Sequence, residues 1–121
     1  MPWRYAGSAE DQVDKILLDS ADLWGVEAAA RYHRLILAAL SAVGELPDFP
    51  GSNSVPRVPG LRSLHLRIVR HLVGAEHRVK EPRHLVVYRV APDGVVEILG
   101  LVHDRMKLAT AARRARREAD G

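Results

Sequence analysis

Apolar residues recur at three- and four-residue spacing through the first third of the chain, which is typical of helices with one buried face. One run predicts a helix over about 8–23, with Ser8 as its N-cap and Gly25 just after its end. A second run predicts another helix over about 26–45. Because so short a turn separates the two helices, we expect them to fold back on each other as an antiparallel hairpin.

The pattern changes at residues 47–60, where four prolines and two glycines indicate a loop. Beyond it, alternating apolar and polar residues predict a strand over about 64–69. HLVVYRV at 84–90 and VVEILGLVH at 95–103 predict two further strands, joined by the turn sequence APDG. Since the last strand is apolar on both faces except at Glu97, we expect it in the interior of the sheet.

The long stretch between the first two of these strands predicts an unusually long hairpin that turns near Gly74 and Ala75, with a bulge or break at Pro82. The basic tail, 104–121, has few large apolar residues and predicts a short helix that frays. The pattern therefore predicts an α+β fold: an N-terminal helical hairpin packs on a three- to four-stranded antiparallel sheet over about 61–103, and a short basic helix follows.

At 121 residues the chain is expected to form one domain. It has no apolar run of about twenty residues and no secretory signal pattern at its start, so we expect a cytoplasmic protein without a membrane segment. With no cysteines, it has neither disulfides nor a thiol nucleophile. Residues 1–60 carry 5 Lys and Arg against 8 Asp and Glu, and residues 61–121 carry 13 against 7. The basic second half could meet nucleic acid or an acidic protein segment.

Histidines at 65, 71, 77 and 84 raise the question of a metal site. Those spaced by six residues lie roughly 20 Å apart along a strand, and in a helix they rotate off a common face. The nearby acids Glu76 and Glu81 have no ligand spacing. We therefore expect no metal and no cofactor, and we interpret these residues as partly exposed strand histidines.

Three features occur in a specific order along the chain. An acidic first helix ends near Trp24, PGLR at 59–62 enters the sheet, and YRV at 88–90 is followed by a hairpin and HDRM at 103–106. In this order they resemble the RelE/ParE superfamily of toxins from bacterial type II toxin–antitoxin systems, and the ParE branch most closely.

The resemblance covers about 8–46 and 59–108 and implies the same helical hairpin on an antiparallel sheet. It also implies a ParD-like antitoxin as partner, through which operator DNA would be contacted only indirectly. Proteins similar to ParE are associated with poisoning of DNA gyrase, whereas the RelE branch cuts messenger RNA in the ribosome.

An RNA-cleaving toxin needs a general acid or base and clustered cations. Arg105 stands where the resemblance places one catalytic arginine, but Leu85 occupies the position of a second, and KLATAARR lacks the C-terminal tyrosine. His84 and His103 are candidate substitutes, since an imidazole suits acid–base chemistry near neutrality. A ribonuclease that uses His84, His103 and Arg105 is therefore the alternative, and a toxin that acts by binding gyrase is the favoured hypothesis.

Two sets of contact residues follow from this hypothesis. Residues at the sheet and its strand end could bind the target, with the arginines as bidentate donors: Arg62, Tyr88, Arg89, His103, Arg105 and Met106. Residues of the hairpin and of an expected strand edge could bind the antitoxin: Tyr32, Leu35, Leu66 and Ile68. Trp24 is expected in the core or closing the hairpin. A non-toxic, degenerate toxin that serves as an interaction module is a third possibility.

Overall fold

The computed structural model describes residues 3–121. Its helices and strands, in chain order, are β1 (Trp3–Tyr5), α1 (Ala9–Trp24), α2 (Val26–Glu45), β2 (Asn53–Ser54), β3 (Arg62–His65), β4 (His84–Val90), β5 (Val96–His103) and α3 (Leu108–Asp120). Two 3-10 helices, Leu66–Leu72 and Ala75–His77, lie between β3 and β4. The predicted helical hairpin is confirmed, with the ends of both helices within one residue of the expected positions.

The five strands form one sheet in the order β1-β5-β4-β3-β2. The pairs β2–β3, β3–β4 and β4–β5 are antiparallel, but β1 pairs with β5 in parallel. The expectation of a purely antiparallel sheet of three or four strands is therefore wrong, because the three residues of β1 add a parallel strand beside β5 and the two residues of β2 add a short strand at the other edge. As a result β5 has a neighbour on each side, in the interior position that its apolar sequence predicted.

Two apolar cores lie on opposite faces of the sheet. On the first face, buried residues of α2 such as Leu35 and Leu40 form a cluster with Val86, Tyr88 and Ile98. On the second face, Val87, Leu99 and Val102 form a cluster with Ala112 and Ala115 of α3. The sheet thus lies between the helical hairpin and α3.

The C-terminal helix is longer than predicted and is packed along its length. Ala112 and Ala115 are buried, which means that small side chains let α3 lie close to the sheet without large apolar residues. Its far end is held by an ion pair between Asp120 and Arg89 of β4, and Ser8 hydrogen-bonds to Glu118.

The predicted strand over 64–69 is present only in part, and the predicted long hairpin near Gly74 is wrong. β3 ends at His65, and the chain continues as the 3-10 helix, whose N-terminus is capped by His65 Nδ1 accepting from the N–H of Arg67 at 3.1 Å. Leu66 and Val69, three residues apart, lie on one face of this helix and are fully buried. The alternating apolar residues in this segment therefore belong to two elements, the end of β3 and the 3-10 helix that follows it.

Candidate functional site

A cleft of about 730 Å³ opens between the helical hairpin and the segment 76–84. Its floor is the end of the sheet at which His84, the first residue of β4, pairs with His103, the last residue of β5. The centres of the two imidazole rings lie 5.3 Å apart in an edge-to-face arrangement. One side of the cleft is formed by the turn of the hairpin, with Leu23 and Trp24, and the other by residues 76–81.

His84 is anchored by Tyr32 of α2. The Tyr32 hydroxyl lies 2.6 Å from His84 Nδ1 and also accepts a hydrogen bond from the backbone N–H of Arg83 at 3.1 Å. Burial, and secondarily the neighbouring His103, lowers the pKa of His84 to about 4. His84 is therefore neutral at physiological pH. Burial also raises the pKa of the Tyr32 hydroxyl.

The strand-end segment 103–106 has a defined shape. His103 Nδ1 accepts from the backbone N–H of Arg105 at 3.1 Å, and the N–H of Met106 donates to the His103 carbonyl at 3.0 Å. His65 Nε2 donates to Asp104 Oδ2 at 3.1 Å, and this hydrogen bond is the main reason that the pKa of Asp104 is lowered. These contacts leave Arg105 exposed and Met106 54% exposed at the surface.

Arg62 and Tyr88 meet at the loop that precedes β2. Arg62 Nε donates to the Pro47 carbonyl at 3.2 Å, and its Nη2 donates to Ser52 Oγ at 2.8 Å. The hydroxyl of Tyr88, which is fully buried, donates to the same Pro47 carbonyl. Both side chains thus hold the loop against the sheet, and their role in target binding stays a prediction.

Arg89 is engaged by carboxylates on two elements. Its Nε donates to Glu97 at 2.9 Å, and its Nη2 donates to Asp120 at 2.7 Å. The pKa of Arg89 is raised chiefly by the hydrogen bond to Asp120, whose own pKa is lowered. The six predicted target residues therefore fall into two groups: Arg62, Tyr88 and Arg89 contact other parts of the chain, whereas His103, Arg105 and Met106 lie together at the strand end.

A second, smaller groove of about 300 Å³ lies at the same strand end. Leu85 lines it, together with Asp104 and Met106, and within residues 3–121 Arg67 is the one Lys or Arg in its lining. The position that the resemblance assigns to a second catalytic arginine thus lies in this groove, whereas His84 and His103 line the larger cleft.

The residues expected to bind an antitoxin are placed differently from one another. Leu35 and Leu66 are fully buried in the core, so neither could touch a partner unless the core opened. Tyr32 lines the cleft and Ile68 lines the smaller groove, and both are partly exposed. Their part in antitoxin binding stays a prediction.

The largest exposed apolar side chains lie at the turn of the helical hairpin. Leu23 is 72% exposed, Trp24 76% and Val26 78%, and Leu18, which lies earlier in α1, is 67% exposed. Of the two alternatives expected for Trp24, a place in the core is wrong, because the side chain is largely exposed and belongs to neither apolar cluster. Its position at the end of α1, beside the turn, agrees with the other alternative, a residue that closes the hairpin. A signal was present in the sequence: apolar residues on both sides of Gly25 cannot all face inward at a tight turn.

Membrane-spanning helices and metal sites are both absent from residues 3–121. No helix there is long and apolar enough to cross a bilayer. In the same residues, no group of three or more His, Asp or Glu side chains is arranged to hold a metal ion.

The chain matches a family model described as the ParE toxin of the type II toxin–antitoxin system parDE. The match spans residues 4–108, from the first strand through both helices of the hairpin to the start of α3. It includes the cleft and the strand-end segment 103–106. No curated protein sequence matches the chain.

Proposed function

The chain belongs to the ParE toxin family of type II toxin–antitoxin systems, and from this premise we propose that it arrests growth by binding DNA gyrase. In this proposal the toxin stabilises the cleaved-DNA state of gyrase, and a ParD-like antitoxin neutralises it. The observation that carries the proposal is the strand end, where Arg105 and Met106 are exposed on a segment that hydrogen bonds hold in a defined shape. A preorganised pair of a cation and an apolar side chain suits recognition of a protein surface.

The state of the basic residues on the sheet supports binding rather than chemistry. Arg62 donates to the Pro47 carbonyl and Ser52, and Arg89 is paired with Glu97 and Asp120. Neither is free to stabilise a pentavalent phosphorane without breaking these contacts. The lining of the smaller groove, where Leu85 replaces an expected arginine, includes one cation and the carboxylate of Asp104.

The test is a DNA cleavage assay with purified toxin, gyrase and supercoiled plasmid, in which linear DNA is scored after protease treatment. The proposal predicts linear DNA that requires both gyrase and the toxin and that disappears when gyrase is omitted. Toxin that stops growth in cells while no cleaved DNA accumulates in this assay would remove gyrase as the target.

A second candidate function, ribosome-dependent cleavage of messenger RNA, is favoured by one observation. His84 and His103 lie side by side on the floor of a cleft that is also lined by Arg31, Arg78 and Lys80. If this candidate is correct, induction of the toxin should produce messenger RNA cut at fixed codon positions. The substitution His103→Ala should then abolish the cuts while leaving the thermal midpoint of unfolding almost unchanged.

A further inference from the structure

The hydrogen bonds of His84 fix which of its ring nitrogens carries the proton. The Tyr32 oxygen already accepts from the N–H of Arg83, and the described residues offer no other acceptor for the hydroxyl hydrogen than His84 Nδ1. Neutral His84 therefore accepts at Nδ1 and carries its proton on Nε2. Nε2 has no partner within residues 3–121, and since no buried side-chain nitrogen there lacks a partner, this N–H is exposed in the cleft.

The same reasoning applies to His103. A backbone N–H can only donate, so the contact from Arg105 requires an unprotonated Nδ1 in neutral His103 and places the proton on Nε2. Asp104 Oδ1 lies 3.5 Å from that Nδ1, too far to compete with the 3.1 Å backbone contact. The floor of the cleft thus presents two imidazole N–H donors from rings whose centres are 5.3 Å apart. The two oxygens of one carboxylate can bridge such a pair.

The charges around the cleft favour the binding of a carboxylate. Of the acidic residues in the described lining, Asp19 pairs with Lys15 and Glu81 pairs with Arg83, and only Glu76 has no cationic partner. Arg31, Arg78 and Lys80 line the same cleft and form no salt bridge within the described part of the chain. The charge left without a counterpart is therefore positive.

The hairpin side of the cleft is apolar and exposed. Trp24 is 76% exposed and Leu23 72%, and both line the cleft beside Ile16 and Ala28. An exposed aromatic ring beside aliphatic side chains marks a binding surface more often than chance placement. A ligand that fits both sides needs an apolar part against the hairpin and a carboxylate over the histidines.

We propose that the cleft binds a peptide segment of a partner protein in which an Asp or Glu side chain lies between apolar residues. Its carboxylate accepts hydrogen bonds from Nε2 of His84 and of His103, and its apolar side chains pack on Leu23 and Trp24. This inference rests on the proposed function in one respect: in a toxin–antitoxin pair, the partner that carries the segment is the antitoxin.

A peptide fits this cleft better than a nucleic acid. A run of backbone phosphates needs cations along its whole length, whereas a single carboxylate needs only the two N–H donors on the floor. Ile16, Leu23 and Ala28 also offer no hydrogen bonds to bases or sugars. Single-stranded RNA is therefore the competing class that the experiment must exclude.

The test is selection of a random 12-residue peptide display library on the immobilised full chain, followed by affinity measurements with the strongest binder. We expect the selected peptides to share an Asp or Glu flanked by apolar residues. Changing that residue to Asn or Gln in the synthetic peptide should weaken binding about tenfold or more. The substitutions His103→Phe and Trp24→Ala should each weaken binding by a similar factor, and since both positions are partly or largely exposed, we expect both variants to fold.

The matched control is Arg114→Ala, an exposed cation on α3, across the sheet from the hairpin, which should leave peptide affinity unchanged. The proposal is overturned if no binder is obtained, if the selected peptides lack acidic residues, or if the amide peptide binds as well as the acidic one. It is also overturned if a 12-nucleotide RNA binds more tightly and loses affinity in Trp24→Ala. Because gyrase is absent from this assay, failure of the gyrase proposal and failure of the peptide site give separate results.

Discussion

The two ends of β4 use similar side chains in opposite ways. At one end, Tyr88 and Arg89 donate to the loop at Pro47, to Glu97 and to Asp120. At the other end, His84 is held by Tyr32 but leaves an N–H facing a cleft, next to an equally available N–H of His103. The first end is saturated with contacts inside the chain, and the second retains donors for a ligand.

This difference shows why residue type alone does not identify a site in a small toxin. Arginine and tyrosine on a strand are plausible phosphate or target ligands, yet the partners of Arg62, Tyr88 and Arg89 lie within the chain. The histidines, expected to be partly exposed strand residues, have the fixed orientation that recognition requires. The number of unused donors, rather than their chemistry, distinguishes the two ends.

The largest effect is expected at the saturated end. Tyr88→Ala should lower the free energy of unfolding by about 3–5 kcal/mol, because it empties a fully buried aromatic site. Tyr88→Phe, which removes only the hydroxyl bonded to Pro47, should cost about 1–2 kcal/mol. Urea unfolding curves measure both values. A Phe variant of wild-type stability that had lost target binding would instead make Tyr88 a contact residue.

At the other end of β4, protonation of His84 at acidic pH should lower the stability of the fold. The pKa of His84 is about 4 in the folded protein, whereas the ordinary value of 6.5 applies to the unfolded chain. Between these pH values, protons therefore bind preferentially to the unfolded chain. The contribution of neutral His84 is present above pH 6.5 and is lost as the pH falls from 6.5 towards 4. Over this range the wild type should lose on the order of 2 kcal/mol of its free energy of unfolding. The variant His84→Gln, whose amide can still accept a hydrogen bond from Tyr32, should not show this loss. The measurement is the free energy of unfolding of both proteins as a function of pH. A difference between the two proteins that stays constant from pH 7 to pH 4 would refute this prediction.

The ion pair at the saturated end should have a smaller effect with a different pH range. Because Arg89 lowers the pKa of Asp120, the pair stabilises the fold at pH values above the ordinary Asp range. That contribution is lost as the pH falls through the lowered pKa of Asp120. The thermal midpoint of Asp120→Asn should therefore lie slightly below that of the wild type at pH 7 and approach it in strong acid. A constant difference down to pH 2 would exclude this origin.

Much of the fold could be predicted because its pattern is local. The three- and four-residue periodicity specified both helices, and the APDG turn specified the pairing of β4 with β5. β1 could not be found in this way, since three residues carry no period and its parallel pairing with β5 joins distant parts of the chain. The 3-10 helix after His65 was missed because apolar residues alternated across the end of the strand.

The candidate site was harder to predict because it depends on an irregular register. Counting outward from the APDG turn with regular pairing would place Val102 opposite His84. The structure has a register shift at Val87 and Tyr88, opposite Leu99, which brings His103 to that position instead. Tyr32, which completes the site, comes from a helix 52 positions away in sequence. No local pattern reports such a contact.

The most direct test of the account is the gyrase cleavage assay repeated with the double variant Arg105→Ala and Met106→Ala, with Arg114→Ala as the control. Because both side chains are exposed, the double variant should unfold within about 0.5 kcal/mol of the wild type. It should nevertheless lose at least nine-tenths of the linear DNA, whereas the control loses none. A folded double variant that traps as much cleaved DNA as the wild type would contradict the assignment of this strand end to the target.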